Sequence, residues 1–304
     1  MNPISPYQLG ATLYVPATRH DLIDIILHNK IHDLRSMVIC LEDAIKEHEL
    51  QAAFHNITHC LEQWAYANLA PDKRPLVFIR PRYSAMITQL LDLPHIDLID
   101  GLVLPKFDQY TLHTWSTVLD FAPEHWVYMP TLETKALLDA VQVHQLREIL
   151  HDHPLRAKIL VLRIGGNDLL SCLKLRHSRA HTLYDGPLGY VVAMLVSQFI
   201  PHDFYLTAPV FDCFSNQDLL QVEIQRDLLH GLVGKTVIHP RQIPIIHQAL
   251  QVDAQDFITA QRILDHSMPA VFQFEGAMCE PSTHQRWAKE IVERARYFGC
   301  SAQA

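Results

Sequence analysis

Five apolar segments of this chain run straight into a charged residue at their C-terminal end. Ser36–Leu41 meets Glu42 and Asp43, Leu76–Ile79 meets Arg80, and Leu102–Pro105 meets Lys106. Trp126–Leu132 meets Glu133, and Ile159–Ile164 meets Gly165-Gly166-Asn167-Asp168. Stretches of helical period lie between them; from about Glu47 to Leu69, Leu50, Phe54, Ile57, Leu61 and Trp64 fall on one face. Further strands are predicted at Ala11–Val15, Tyr205–Val210 and Lys235–Ile238, and helices at Asp21–Lys30, Asn167–Leu175, Tyr190–Phe199 and Gln217–His230. Such alternation means parallel strands joined by right-handed helical crossovers. Eight units fit a closed ring better than an open sheet, so the predicted fold is α/β, a (β/α)₈ TIM barrel over residues 1–250. Residues 251–304, with helices at Gln255–His266 and about Ser282–Phe298 around a loop at Glu275–Pro281, are expected to form a C-terminal helical extension.

A buried apolar strand has no structural need for a terminal charge. In a barrel the C-terminal strand ends carry the chemistry, and five charged endings in a row point to an enzyme. Glu133 and Asp168 end neighbouring strands, roughly 5 Å apart, and two such carboxylates can share one hard divalent cation. A metal there acts as a Lewis acid on a bound carbonyl and stabilises an enolate forming beside it. Gly165 and Gly166 let backbone approach a ligand closely, and Arg80 can grip a carboxylate bidentately. Each residue also has a plain reading: Asp168 as the N-cap of the helix it opens, Glu133 as a surface charge, Arg80 as a partner of Asp43.

Composition narrows the class. Hydrophobic residues make up 49% and charged residues 19%, ordinary for a soluble globular chain with a sizeable core. A formal charge of −8 with no basic cluster argues against nucleic-acid binding. The six cysteines are scattered without a CxxC pair or zinc spacing, as in a reducing compartment. Met1–Gly10 has no signal-peptide pattern, and the apolar run Val191–Ile200 is about half a membrane span. The expectation is a cytoplasmic protein with no membrane partner.

The strand-end motifs resemble those of the citrate lyase β-subunit-like family, within the HpcH/HpaI aldolase superfamily of magnesium-dependent C–C bond lyases. Tyr14-Val15-Pro16-Ala17 with Arg19 is similar to the family's opening strand, Leu41-Glu42-Asp43-Ala44 to its LEDA motif, and Leu104-Pro105-Lys106 to its LPK. Leu132-Glu133-Thr134, Gly165-Gly166-Asn167-Asp168-Leu169 and Gly234-Lys235 with Ile238-His239-Pro240 continue the series. More closely, the RIGGNDLL, LTAPVFD and GKTVIHP stretches resemble the TIM-barrel C–C bond lyase branch found near tellurite-resistance and stress gene clusters. The resemblance implies Glu133 and Asp168 as ligands of Mg²⁺, or of Mn²⁺ in its place. It implies Arg80 as the clamp for a substrate carboxylate, Asp43 and Glu42 ordering Arg80 or metal water, and the backbone at Gly165, Gly166 and Asn167 against substrate. A 2-oxo acid or an acyl coenzyme A thioester is the implied substrate, and a homo-oligomer (trimer or hexamer), with the extension as subunit contact, the implied assembly. Pro81 and Arg82, Asn167 and Lys135 depart from the family pattern; Arg82 and Lys135 add positive charge, which suggests a more anionic substrate.

Other readings stand beside this one. Lys106 could form a Schiff base, as in metal-free aldolases, or pair with Asp43 or Glu133. A phosphoenolpyruvate or C–P enolate enzyme uses the same barrel, and a degenerate barrel could serve as a partner or ligand-sensing subunit. His239 ends strand eight and is a candidate pocket residue, whereas His48, His55 and His59 fall on the outer face of a helix. Cys213 has no identifiable partner for a nucleophile, and no GxGxxG dinucleotide fingerprint is present.

Overall fold

The strand-ending charges come together because the strands close into a ring. The computed structural model describes residues 4–67 and 69–301. Asn68, which the expected helix to Leu69 crosses, and residues 1–3 and 302–304 of the expected termini lie outside that description. Strand β1 (Ala11–Pro16) leads to helix α1 (Leu22–Leu27), β2 (Ser36–Cys40) to α2 (Leu50–Ala67), and β3 (Leu76–Arg80) to α3 (Met86–Leu91). Then follow β4 (Gly101–Leu104) and α4 (Leu112–Leu119), β5 (Val127–Leu132) and α5 (Ala140–Asp152), and β6 (Leu162–Ile164) and α6 (Gly166–Cys172). Helix α7 (Pro187–Phe199) precedes β7 (Leu206–Thr207), and α8 (Gln217–Leu229) precedes β8 (Lys235–Val237) and α9 (Gln242–Ala249).

All eight strands are parallel, in the order β7-β6-β5-β4-β3-β2-β1-β8. A parallel bridge between Ala208 and Lys235 joins the two outer members, so the sheet meets itself as a TIM barrel. Strand seven is shorter than the expected Tyr205–Val210, because Pro209 has no amide to extend the ladder. Register puts Arg80 level with Cys40, and Arg163 level with both Thr131 and Thr207.

Gly101 shows how tightly the strands close. Its φ is +151°, and a β-carbon there would lie 1.8 Å from the carbonyl oxygen of Val127 on the next strand. The helix after β5 does not begin directly at the strand end. Lys135–Leu138 forms a separate 3₁₀ turn, and Asp139 caps a new helix by accepting from the Val141 amide at 2.9 Å. The helical phase restarts there, so Val143, Leu146 and Leu150 are buried and Val141 is exposed.

By its internal contacts the chain divides at Pro244/Ile245. In the second unit, helices α10 (Ala254–Leu264) and α11 (Pro281–Phe298) bury Ala260, Ile263, Ala288 and Ile291 with Val252 and Cys279. The expected loop at Glu275–Pro281 contains half of an antiparallel hairpin, β9 (Phe272–Phe274) with β10 (Ala277–Cys279). Its turn residues, Glu275 and Gly276, both have positive φ, as a two-residue hairpin turn requires. No helix among the described residues is long and apolar enough to cross a membrane.

Candidate active site

Four charged side chains from four consecutive strand ends form one connected cluster. Arg80, the last residue of β3, is buried against Glu42, and its Nη2 lies 3.0 Å from Glu133 Oε1 and 3.3 Å from Oε2. Asp43, the expected partner, is largely exposed and stands 3.7 Å away. Lys106 takes a left-handed conformation, φ +51°, uncommon for a residue with a side chain. That turn delivers its backbone amide to Glu133 Oε1 at 2.8 Å and its ammonium to Asp168, with Nζ 3.7 Å from Glu133 Oε1. The Lys106 ammonium thus stands between the two carboxylates.

Glu133 Oε1 is crowded with donors, whereas Oε2 has a single contact, from Arg80 at 3.3 Å. Beside Oε2 runs Gly165, where a β-carbon would sit 2.4 Å from that oxygen. Only glycine leaves this space open. Asp168 lies in the first turn of α6 and is not its N-cap, a position held by Gly165. Its carboxylate is directed to Lys106, and a third of its side chain is exposed. A carboxylate oxygen with one long contact, a glycine cradle and a cation already seated between two carboxylates suit a hard divalent ion, which commonly uses only one or two protein carboxylates. Among the described residues no three His, Cys, Asp or Glu side chains gather as a ready-made metal cage.

The charges are unequal in solvation. Burial pushes the Glu42 carboxyl up to about 8 despite Arg80, and raises Glu133 against the pull of Arg80 and Lys106. Burial works against the cations, yet Glu133 and its neighbours more than offset this and hold Arg80 and Lys106 above their ordinary ranges.

The other expected residues take different places. Asn167 is exposed and donates to Asp212 at 3.2 Å, in the loop after β7. Gly166 is buried, where a β-carbon would meet Pro209 at 2.7 Å, so it serves close packing of the start of α6 against the segment after β7. His239 stacks on Phe214 with ring centres 5.0 Å apart, and its Nδ1 accepts from the Arg241 amide at 3.1 Å. Arg82 corrects an expectation. It adds no charge to the pocket, because it donates to the carbonyls of Leu41 at 3.2 Å and Ile45 at 2.8 Å and pairs with Glu47. It straps down the loop carrying Glu42 and Asp43. Lys135 is exposed on the 3₁₀ turn after Glu133. His48, His55 and His59 are exposed, as expected, and the Cys213 thiol points to the Ser178 carbonyl at 3.7 Å.

Sequence reading missed Arg163. This residue of β6 is 1% exposed inside the barrel, donates to Thr236 at 2.6 Å and lies 5.4 Å from the centre of the Tyr14 ring. No carboxylate pairs with it among the described residues, its Nε has no partner, and the level hydroxyls of Thr131 and Thr207 have none either. Burial lowers its affinity for a proton, and its charge acts on the Tyr14 phenol above it. Gln242 was also missed; it ties the Phe211 carbonyl to the Ile238 and His239 amides, fixing the ends of two strands together.

Comparison with known proteins bears on this geometry. A family model described as a C–C bond lyase of the TIM-barrel fold matches residues 3–300. None of the curated proteins matches the chain with significance. The CitE protein of Mycobacterium tuberculosis, solved in complex with magnesium, acetoacetate and coenzyme A, is 20% identical; the match covers 95% of this chain and 99% of that one, with a TM-score of 0.68. RipC from Yersinia pestis is 21% identical over 82% of this chain and 98% of its own, with a TM-score of 0.61. The citrate lyase beta subunit from M. tuberculosis, complexed with oxaloacetate and magnesium, is 18% identical over 81% and 99%, with a TM-score of 0.58. At these identities the likeness is one of fold. The family match reaches further, for it leaves out only the first two and last four residues: the chain belongs to the C–C bond lyases of the TIM-barrel fold.

Proposed function

We propose that the protein is a magnesium-dependent lyase or aldolase that cleaves, or forms, a C–C bond next to the carbonyl of a 2-oxo acid or an acyl coenzyme A thioester. One observation carries this reading: Arg80, Glu133, Lys106 and Asp168, from separate strands, converge in one cluster at the ring's C-terminal mouth. The complexes of CitE with magnesium, acetoacetate and coenzyme A, and of citrate lyase beta with oxaloacetate, supply the ligand classes to test.

Glu133 and Asp168 would hold the magnesium ion (manganese in its place), and when bound it supplies a Lewis acid beside which enolate charge is stabilised. The chain's own groups do the rest. Arg80, kept charged by Glu133 and Glu42, is the group proposed to meet a substrate carboxylate. Glu42, and Asp43 behind it, hold the guanidinium in place. Lys106 gives its amide to Glu133 throughout, while its flexible ammonium is free to swing from Asp168 to an anionic substrate. The Gly165–Asn167 backbone lines the approach, with His239 at the rim. The assembly proposed is a homo-oligomer with the second unit as its contact, in the cytoplasm.

The test is exchange of the C3 protons of pyruvate or oxaloacetate with D₂O, read by NMR with Mg²⁺ or EDTA. Exchange that needs both Mg²⁺ and Asp168 is the expected result. Absence of exchange and of any Mg²⁺-dependent ligand binding would instead mark the barrel as a sensing or partner subunit.

A further inference from the structure

Arg163 carries a charge into the middle of the ring. From β6 its Nη2 crosses to Thr236 on β8 at 2.6 Å, and its Nη1 reaches Thr12 on β1 at 3.4 Å and the Met129 sulfur on β5 at 3.6 Å. Besides the Tyr14 phenol, the charge that acts on it is a second cation, Arg80; among the described residues no carboxylate does. Its Nε has no partner, and the hydroxyls of Thr131 and Thr207 are buried without one. Parallel register sets these threonines level with Arg163, one on each side, so all three side chains share the inner face. Three buried polar groups left over at one level, one of them charged, carry a cost that packing does not repay.

The chemistry of this level suits an anion. A guanidinium and two hydroxyls are hydrogen-bond donors, and charge-assisted bonds to an anion are the strongest they can make. There is room beside them. Thr12 faces inward, so Tyr14, two residues on, does too; its ring centre lies 5.4 Å from the guanidinium carbon. Tyr14 and Thr236 are nevertheless only half-buried, which on inward-facing positions means open space within the ring. Thr131 stands two residues before Glu133, and Arg163 two before Gly165, so the level lies about 7 Å beneath the Glu133 carboxylate. We propose that it is a separate binding site for one small monovalent anion, a halide or a carboxylate group, held by Arg163, Thr131 and Thr207. One negative charge balances one guanidinium in a dry interior, and the side chains that fill a barrel leave space for little more. The bound anion gives a reason for a buried charge that otherwise costs stability. The site stands whether or not Glu133 and Asp168 hold a metal.

Urea unfolding at one ionic strength tests the site, with gluconate, a bulky anion, replaced stepwise by chloride or by formate. The wild-type midpoint should rise and saturate with chloride, formate or both. What is compared between variants is this response, not the starting midpoint. It should vanish in Arg163→Met. Thr131→Val and Thr207→Val, which keep shape and remove a hydroxyl, should each need about tenfold more anion for the same rise. Asp168→Ala should respond as wild type does. A response to chloride alone identifies a resident halide, and one to formate alone a carboxylate; either supports the site. A midpoint indifferent to both anions overturns the proposal and leaves the level to water. So does a response that Arg163→Met keeps, which is a general salt effect, or one that Asp168→Ala loses, which places the ion at the carboxylate cluster. If Arg163→Met does not fold, the valine variants decide, and unchanged responses in both overturn the site.

Discussion

The ammonium of Lys106 rests against the Asp168 carboxylate while the same residue's amide holds Glu133 at 2.8 Å. One residue therefore supplies a permanent donor through its backbone and a displaceable cation through its side chain. If a divalent ion takes the space between the carboxylates, it competes with that ammonium. Lys106→Met should bind Mg²⁺ more tightly than wild type by calorimetry. The Lys106 and Asp168 side chains are 41% and 36% exposed, so screening limits the pair to about 1 kcal/mol, a gain of up to about fivefold. Weaker binding in this variant would show that the ammonium supports the metal site and does not compete for it.

Two glycines should separate site from fold. In Gly165→Ala the new methyl meets the Glu133 side chain at 2.4 Å, while φ there is an ordinary −86°. Mg²⁺ binding should be lost with a modest change in thermal midpoint. Gly101→Ala faces a carbonyl at 1.8 Å and a φ of +151°, and should cost more than about 4 kcal/mol, with little folded protein by circular dichroism. Equal damage from both would mean that Gly165 serves only the strand join.

Arg163 is a fully buried charge with no carboxylate partner among the described residues, and such a charge costs stability unless its hydrogen bonds repay it. Arg163→Met, which keeps volume and removes charge, should unfold in urea no earlier than wild type and gain about 1–3 kcal/mol. Marked destabilisation would assign the 2.6 Å bond to Thr236 the larger share.

Acid stability should follow Glu223. Burial opposes its charge, but Lys235 at 3.0 Å and His177 at 3.1 Å hold its carboxyl at about 2, below the ordinary 4.5. Between those values the unfolded chain binds the extra proton, so stability rises with pH there and is lost as pH falls from 4.5 through 2. A shift of that size is worth up to about 3 kcal/mol, offset in part by Asp227, which burial moves the other way. Glu223→Gln should flatten the dependence of the urea midpoint on pH across this window; an unaltered slope would mean other carboxylates dominate.

Strand ends were legible because packing gives an apolar run no reason to finish on a charge, and β3 falls at the expected Leu76–Arg80. The partners of those charges were less so. Arg80 and Lys106 choose Glu42, Glu133 and Asp168 through the ring's register, which no spacing along the chain encodes. Arg163 was hidden because it sits within an apolar strand where pattern implies a core residue. Arg82 misled because a charge near the mouth can turn either to ligand or to backbone, and three loop carbonyls claim it. The hairpin around Glu275-Gly276 lay in short segments without a clear two-residue alternation.

β1 pairs with β2 on one side and with β8 on the other. During synthesis its second edge must therefore wait until β8, Lys235–Val237, has left the ribosome. Until then the growing sheet carries two open edges and a half-covered polar lumen, the condition in which nascent chains aggregate or recruit chaperones. A product terminated before β8 would keep seven strands and every charged group of the proposed centre, yet remain an unsealed sheet. For this chain, translation past β8 is a precondition of a closed ring, even though the charged groups at its mouth have all been made by then.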